Sequence, residues 1–256
     1  MKKPIILVTN DDGIMAPCIR HLVEFMLEIG DVVVVAPDKP QSGMGHAVTI
    51  VNPIRLEKIT GNGAHDEYSC SGTPVDCVKL AVNKVLHRKP DLLVSGINHG
   101  SNSSINVIYS GTMSAAIEGA MEDIPAIGFS LLDYSYHADF VSGKKYVQQI
   151  ARNVLKQGLP KGICLNVNIP AVSETELQGL KVCRQARGNW QEEFDHRKDP
   201  RGKDYFWLTG HFRLHEDSNE TDEWALKQNY VSVVPIQFDF TAHGLIPELK
   251  KWTNNA

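Results

Sequence analysis

Four things are missing from this chain: a surplus of positive charge, a CxxC pair, a long apolar run, and a Walker or GxGxxG glycine loop after the first strand signal. Each absence removes a class of protein. Lys and Arg number 26 against 30 Asp and Glu, so no cationic excess is available to neutralise the phosphates of a polymeric nucleic acid. The longest apolar runs are far shorter than the roughly 20 residues of a membrane helix. Lys2 and Lys3 imitate a signal-peptide start, but the apolar run 5–8 is too short for its core and ends in Asn10-Asp11-Asp12. A cytoplasmic protein is the expectation. The five cysteines are odd in number and widely spread, without zinc-ribbon or thioredoxin spacing. Cys70 and Cys77 flank a predicted strand-to-helix turn and read as buried thiols rather than a disulfide. Without the two glycine motifs, nucleotide binding by those routes is unsupported. The net charge of −4 and the 42% apolar content of the 256 residues exclude disorder as the dominant state and leave material for a sizeable core.

What is present alternates between strand and helix. Residues 5–9 are continuously apolar and β-rich, as in a strand covered on both faces. Ala16-Pro17 opens a helix whose Ile19, Leu22, Val23 and Met26 recur at helical spacing, and Gly30 ends it. Residues 32–36 predict a second buried strand, stopped by Pro37, and residues 47–58 alternate as an antiparallel excursion. Further helices are predicted over 73–87, 112–121 and 138–157, and further strands over 92–95, 126–129 and 163–167. This rhythm predicts an α/β fold with a doubly wound, mostly parallel sheet over residues 1–180. Beyond 180 the pattern changes. Residues 184–220 are polar, charged and aromatic, with Trp190, Phe194, Tyr205, Phe206, Trp207 and Phe212, and contain the turn signal Asp199-Pro200-Arg201-Gly202. They predict a β-hairpin arm within a closing segment, 181–256, whose rings either pack on a partner subunit or fold back over the chain's own sheet. A short helix near 222–228, a strand over 230–235 and an amphipathic C-terminal segment follow.

Ligands of a doubly wound sheet bind beyond the carboxyl ends of its strands. After the first strand stand Asn10, Asp11, Asp12 and Gly13, after the second Asp38 to His46, and after the third Gly96 to Asn102, running on to Tyr109-Ser110-Gly111-Thr112. Adjacent carboxylates repel, and a bound cation keeps both ionised. The donors around them, Asp11, Asp12, the Ser42 hydroxyl and the Asn98 carboxamide, are all oxygen and favour Mg²⁺ or Mn²⁺ over zinc. The competing reading makes Asp11 and Asp12 turn residues bonded to nearby backbone. Ser110, Gly111 and Thr112 precede a helix with Ala115 and Ala116 in its early turns, so they read as an anion site and equally as an N-cap. Ser71-Gly72-Thr73-Pro74 looks similar but loses a donor to proline and reads as structural. His46 and His99 fall in the site loops as candidates for acid–base work or phosphate contact, whereas His243, near Asp239, reads as a structural pair.

These residues resemble a known family. Val8-Thr9-Asn10-Asp11-Asp12-Gly13-Ile14 with Ala16-Pro17 is similar to the opening motif of the SurE survival proteins, the 5′/3′-nucleotidases. Ser71-Gly72-Thr73-Pro74 with Asp76-Cys77-Val78, Val94-Ser95-Gly96-Ile97-Asn98 with Gly100 and Asn102, and Tyr109-Ser110-Gly111-Thr112 with Ala115, Ala116, Glu118 and Gly119 resemble further blocks. Thr221-Asp222 with Ala225, Tyr230-Val231-Ser232 with Pro235, and Thr241-Ala242-His243 resemble its C-terminal pattern. Cys18 stands where the family usually has Gly, and so does Asn229.

The resemblance implies a Rossmann-like domain with a protruding arm used in dimer or tetramer assembly. It also implies a phosphomonoesterase that hydrolyses nucleoside 5′- and 3′-monophosphates with one divalent cation per subunit. The family's metal ligands fall on Asp11, Asp12, Ser42 and Asn98. Asn102, Ser110, Gly111 and Thr112 are expected to orient phosphate oxygens, and Asp12 is a candidate general base. The rival readings are a haloacid-dehalogenase phosphatase, a receiver-like signalling domain and a catalytically silent nucleotide-binding scaffold. The first needs Asp-x-Asp, against adjacent Asp11-Asp12 here. The second needs an acid after the third strand, where residues 92–98 have none.

Overall fold

In the computed structural model, which describes residues 3–59, 65–135 and 137–253, the uninterrupted apolar runs are the inner strands of a nine-stranded sheet. In chain order the first half comprises β1 (Ile5–Thr9), α1 (Pro17–Leu27), β2 (Asp31–Pro37), β3 (Leu56–Ile59), β4 (Asp66–Cys70), α2 (Pro74–Leu80), β5 (Leu92–His99) and α3 (Gly111–Met121). Then follow β6 (Ala126–Leu131), α4 (Lys144–Gln157), β7 (Ile163–Ile169), β8 (Gly179–Val182), β9 (Gly188–Lys198), β10 (Asp204–Leu214), α5 (Asp222–Lys227), β11 (Tyr230–Gln237) and α6 (Ile246–Thr253). The sheet order is β3-β4-β2-β1-β5-β6-β7-β11-β8. Strands β4, β2, β1, β5, β6 and β7 are mutually parallel, while β3 and β11 run antiparallel to β4 and β7.

The two-residue period of β1 shows why the run is apolar throughout. Ile6 and Val8 pack with α1 and α4 on one face, and Leu7 packs with α2 and α3 on the other. The chain first winds from β1 outward to β2 and then returns past it to β5, so the winding direction reverses at β1. In sheets wound this way that reversal is where a ligand is expected, beyond the carboxyl ends of β1 and its neighbours.

Four expectations shift. Of residues 47–58 only the end is strand. The Thr49 N–H donates at 3.2 Å to the Asp76 carboxylate, so that backbone is held by α2 rather than by a neighbouring strand. The helix expected from 138 starts at Lys144, because the Asp139 side chain closes a turn on the Val141 N–H at 2.9 Å. The helix over 73–87 loosens into a π-helical segment at Ala81–Leu86. Strand β8 falls in a stretch where no strand is expected; β4 is the strand that runs into the turn at Cys70, although it reads Asp-Glu-Tyr-Ser-Cys, without the apolar signature of its neighbours. The Ser71-Gly72-Thr73-Pro74 turn is structural, as expected: Thr73 and Asp76 form a reciprocal cap on α2. All five cysteines are free and buried.

Strands β9 and β10 form a separate ribbon, paired from Gly188↔Leu214 to Lys198↔Asp204 and turned at 199–203. The ribbon does not fold back over the sheet: Phe194, Phe206 and Trp207 stay 65%, 60% and 59% exposed. After it the chain returns to the main sheet as β11. Among the described residues, no helix is long and apolar enough to cross a membrane.

Candidate functional site

Asn10, Asp11 and Asp12 continue β1 into a tight turn. Gly13 takes φ +98°, a conformation suited to glycine, and its carbonyl accepts from the Asn10 carboxamide at 2.9 Å. The loop after β2 is tied to this turn at two points. The Gln41 N–H donates to the Asp11 carbonyl at 2.7 Å, and the Ile14 N–H donates to Pro37 at 2.8 Å. On the other side β5 carries Asn98, where its pairing with β6 shifts register between Ser95 and Asn98. Asn98 donates its Nδ2 to the Gly100 carbonyl at 2.9 Å, which leaves Oδ1 as the atom it can offer a ligand.

The start of α3 closes over Asp11 itself. Ser110 caps the helix by accepting from the Met113 N–H at 3.0 Å, and the Thr112 hydroxyl donates to Asp11 Oδ1 at 2.5 Å. Gly111 is where the helix passes closest: a Cβ there would stand 2.7 Å from Asp11 Cβ. The hydroxyls of Ser110 and Thr112 are therefore engaged within the protein. What the helix start can offer an anion is the first-turn N–H of Gly111, which lacks an intrahelical carbonyl. Asn102 is buried too, at 5% exposure. Its Nδ2 donates to Ser130 at 2.7 Å and its N–H to Asn168 Oδ1 at 2.8 Å, while its carbonyl accepts from Asn166 at 2.8 Å.

Burial, with the neighbouring charge of Asp12 second, pushes the Asp11 carboxyl up to about 6 despite the Thr112 hydrogen bond. Asp12 is less buried, and its Oδ2 accepts from the Cys18 thiol at 3.3 Å. Burial and then the Asp12 charge hold that thiol far above its ordinary value, so it stays a donor. The Asn10 Oδ1 is buried without a hydrogen-bond partner. Among the described residues, no three His, Cys, Asp or Glu side chains gather as a metal-binding group. The edge thus offers two adjacent carboxylates and a carboxamide oxygen, while Ser42 stands exposed on the loop after β2, next to the Gln41 that is bonded to Asp11. Two crowded carboxylates with uncharged oxygen donors around them fit a hard divalent cation.

The histidines divide. His46 approaches Glu118 Oε2 on α3 with its Nε2 at 3.1 Å, and the same buried carboxylate holds the Lys79 ammonium. His99 meets Phe140 edge-on with ring centroids 5.0 Å apart, and its buried Nδ1 has no partner. His243 pairs with Asp239 at 2.6 Å, as expected. Four residues escape the pattern reading in these roles: Cys18 as a donor to Asp12, Glu118 as the anchor of the His46 loop, and the pair Asn166 and Asn168. The last two leave a signal, since two carboxamides two residues apart in an apolar strand share one face.

A family model described as Survival protein SurE matches residues 6–192. The chain is 63% identical over 256 residues to the 5′-nucleotidase SurE of Christiangramia forsetii, covering 99% of this chain and 98% of that one. It is also 63% identical to the 5′-nucleotidase SurE of Flavobacterium psychrophilum, with 100% of both chains covered. Among solved structures, the SurE protein of Aquifex aeolicus superposes with a TM-score of 0.85 at 37% identity, over 98% of this chain and 100% of that one.

Proposed function

The chain belongs to the SurE family, and on that premise we propose that it is a metal-dependent 5′-nucleotidase, releasing phosphate from nucleoside 5′-monophosphates, with 3′-monophosphates as a second candidate class. The observation that carries this reading is the buried Asp11 carboxylate, set against Asp12 and capped by the start of α3 at the point where the sheet reverses its winding. Asp11, Asp12, Ser42 and Asn98 would hold one Mg²⁺ or Mn²⁺ per subunit, which would supply charge neutralisation and polarisation of the phosphoryl group.

The chain's own residues do the rest. Thr112 fixes the rotation of Asp11, Cys18 fixes that of Asp12, and the Gly100 carbonyl fixes that of Asn98. The first-turn N–H of Gly111, beside Ser110, takes the remaining phosphate oxygens as charge builds on them, while Thr112 holds Asp11 through both its hydroxyl and its N–H. Asn102 supports this arrangement by bonding its loop to β6 and β7. Asp12 accepts a proton of the attacking water as the water oxygen bonds phosphorus and the phosphorus–oxygen ester bond breaks, and the departing nucleoside oxygen takes up a proton from solvent to leave as the alcohol. The buried free cysteines fit a cytoplasmic enzyme. Segment 181–256, through the exposed rings of its ribbon, pairs with further copies of the chain as a dimer or tetramer.

Phosphate release from nucleoside monophosphates and from p-nitrophenyl phosphate, with Mg²⁺, with Mn²⁺ and after chelation, tests the reading. Activity is expected only with metal, and Asp11→Asn should lower it by at least about 10²–10³-fold, the scale of losing a key electrostatic group. Because Asp11 is costly to bury as an anion, the metal-free variant should melt no lower than the metal-free parent. Wild-type turnover in Asp11→Asn, or turnover indifferent to chelation, would end the proposal.

A further inference from the structure

At its base the ribbon turns one face towards the start of α3. The register pairs Trp190 with Phe212, Glu192 with Gly210 and Phe194 with Leu208, and alternation places all six on that face. The rings of Trp190 and Phe212 meet edge-on, with centroids 6.0 Å apart. Between Phe212 and Leu208, four residues or roughly 13 Å of strand, Gly210 contributes no side chain. It cannot readily acquire one: it lies at φ +132°, and a Cβ would press to 2.3 Å from the Gln191 carbonyl. The close approach is that of the β9 backbone at Gln191 and Glu192, and the missing side chain leaves a notch in this face.

Opposite this notch stands Tyr109, and the two sides enclose a cavity of about 350 Å³ lined by Tyr109, Trp190, Glu192, Leu208, Thr209 and Gly210. Asn106 sets both aromatic residues. Its carbonyl accepts the Tyr109 N–H at 3.1 Å and its Oδ1 accepts the Trp190 indole N–H at 2.8 Å. The Tyr109 carbonyl accepts in turn from Gly45 at 3.2 Å, on the loop that carries Ser42. Tyr109 directly precedes Ser110, so the cavity begins one peptide unit, about 3.8 Å of chain, from the helix start assigned to phosphate. Its volume lies within the range of small-molecule sites, roughly 300–1,000 Å³.

We propose that this cavity is the nucleobase subsite: a planar heteroaromatic ring lies against Tyr109 and Trp190, and the Glu192 carboxylate accepts from an exocyclic amine. The inference rests on the nucleotidase reading and deepens it by predicting selection among bases. Adenine, guanine and cytosine carry such an amine; uracil and hypoxanthine do not. Tyr109 is 53% exposed and Trp190 40%, so both rings have face to offer, and base–aromatic stacking is sequence-tolerant enough to accept purine or pyrimidine.

The test compares AMP with ribose 5-phosphate, the same ester without its base, on the full chain with Mn²⁺. In Trp190→Ala the ratio of the two kcat/KM values should fall about tenfold or more towards ribose 5-phosphate, and Trp190→Phe should restore most of it. Glu192→Gln should erase the preference for CMP over UMP. A ratio that stays at the wild-type value in Trp190→Ala overturns the proposal. So does a shift to smaller particles in sedimentation with both substrates failing together, which assigns the face to a second copy of the chain. If the wild type hydrolyses neither ester, the nucleotidase reading fails, and equilibrium dialysis against adenosine still judges the cavity. Binding that Trp190→Ala abolishes upholds it, and no binding overturns it.

Discussion

At the carboxyl edge of β1 a carboxylate is buried, with α3 bonded to its side chain and the loop after β2 to its carbonyl, whereas on β9 and β10 aromatic rings stand in solvent with little of their own chain against them. Asp11 receives the Thr112 hydroxyl, the Gln41 N–H reaches its carbonyl, and Gly111 leaves it just enough room. Phe194, Phe206 and Trp207 have the hydrogen-bonded ladder beneath them and water beyond. Both regions break the usual sorting of residues, in opposite directions. Burying Asp11 as an anion is costly, and the proposed cation would offset that cost; exposed rings imply an apolar surface from outside the chain. The two departures therefore point to two kinds of partner, an ion with its phosphate ester and another protein surface.

The sharpest way to break this contrast is to disturb the fit over Asp11 without altering its charge. Gly111→Ala places a Cβ 2.7 Å from Asp11 Cβ, and a displacement near 1 Å at a catalytic group costs on the order of 10²-fold. Metal-dependent phosphate release should fall by about that factor while the far-UV spectrum stays native. Full activity in Gly111→Ala would show that the edge is looser than its contacts indicate.

A smaller effect is expected at Glu118, the buried anchor of the His46 loop. Burial alone would push its carboxyl up, but the His46 and Lys79 contacts outweigh this and hold it below its ordinary value. A depressed carboxylate contributes stability that is present above its unfolded value of 4.5 and is lost as pH falls through the lower folded value. Urea titrations should therefore show wild type losing its advantage over Glu118→Gln below pH 4.5. At pH 7 that advantage should be about 1–2 kcal/mol, modest because Lys79 is partly exposed. An advantage independent of pH would remove the ion pair from the account.

The smallest change in stability should come from the ribbon. Phe206→Ser with Trp207→Ser should alter chemical stability by less than about 0.5 kcal/mol, yet reduce the particle size seen in sedimentation. A large loss of stability at unchanged size would mean that those rings pack on their own subunit.

How far each region is legible in the sequence follows from the range of its interactions. β1, β2 and β5 announce themselves because strands covered on both faces must be apolar at every position, and Asp11, Asp12 and Asn98 are conspicuous because they interrupt or follow such runs. The ribbon is legible through the loss of helical period around Asp199-Pro200-Arg201-Gly202. What stays hidden depends on contacts distant in sequence. Residues 47–55 alternate like a strand, but the Thr49 N–H is taken by Asp76; β4 pairs through its backbone while carrying polar side chains. Nothing in the spacing of Asp11 and Thr112 reveals a bond across a hundred residues of chain, and nothing in a helix-start cysteine reveals that its thiol turns back to Asp12.

On the proposed reading, oxygen donors from three neighbouring strand ends converge on one cation. The direct measurement is anomalous scattering from a crystal soaked in Mn²⁺. A single strong peak per subunit bounded by Asp11, Asp12, Ser42 and Asn98 is the predicted result; no peak there at saturating Mn²⁺, with Asp11 bonded only to Thr112 and Asp12 only to Cys18, would contradict it.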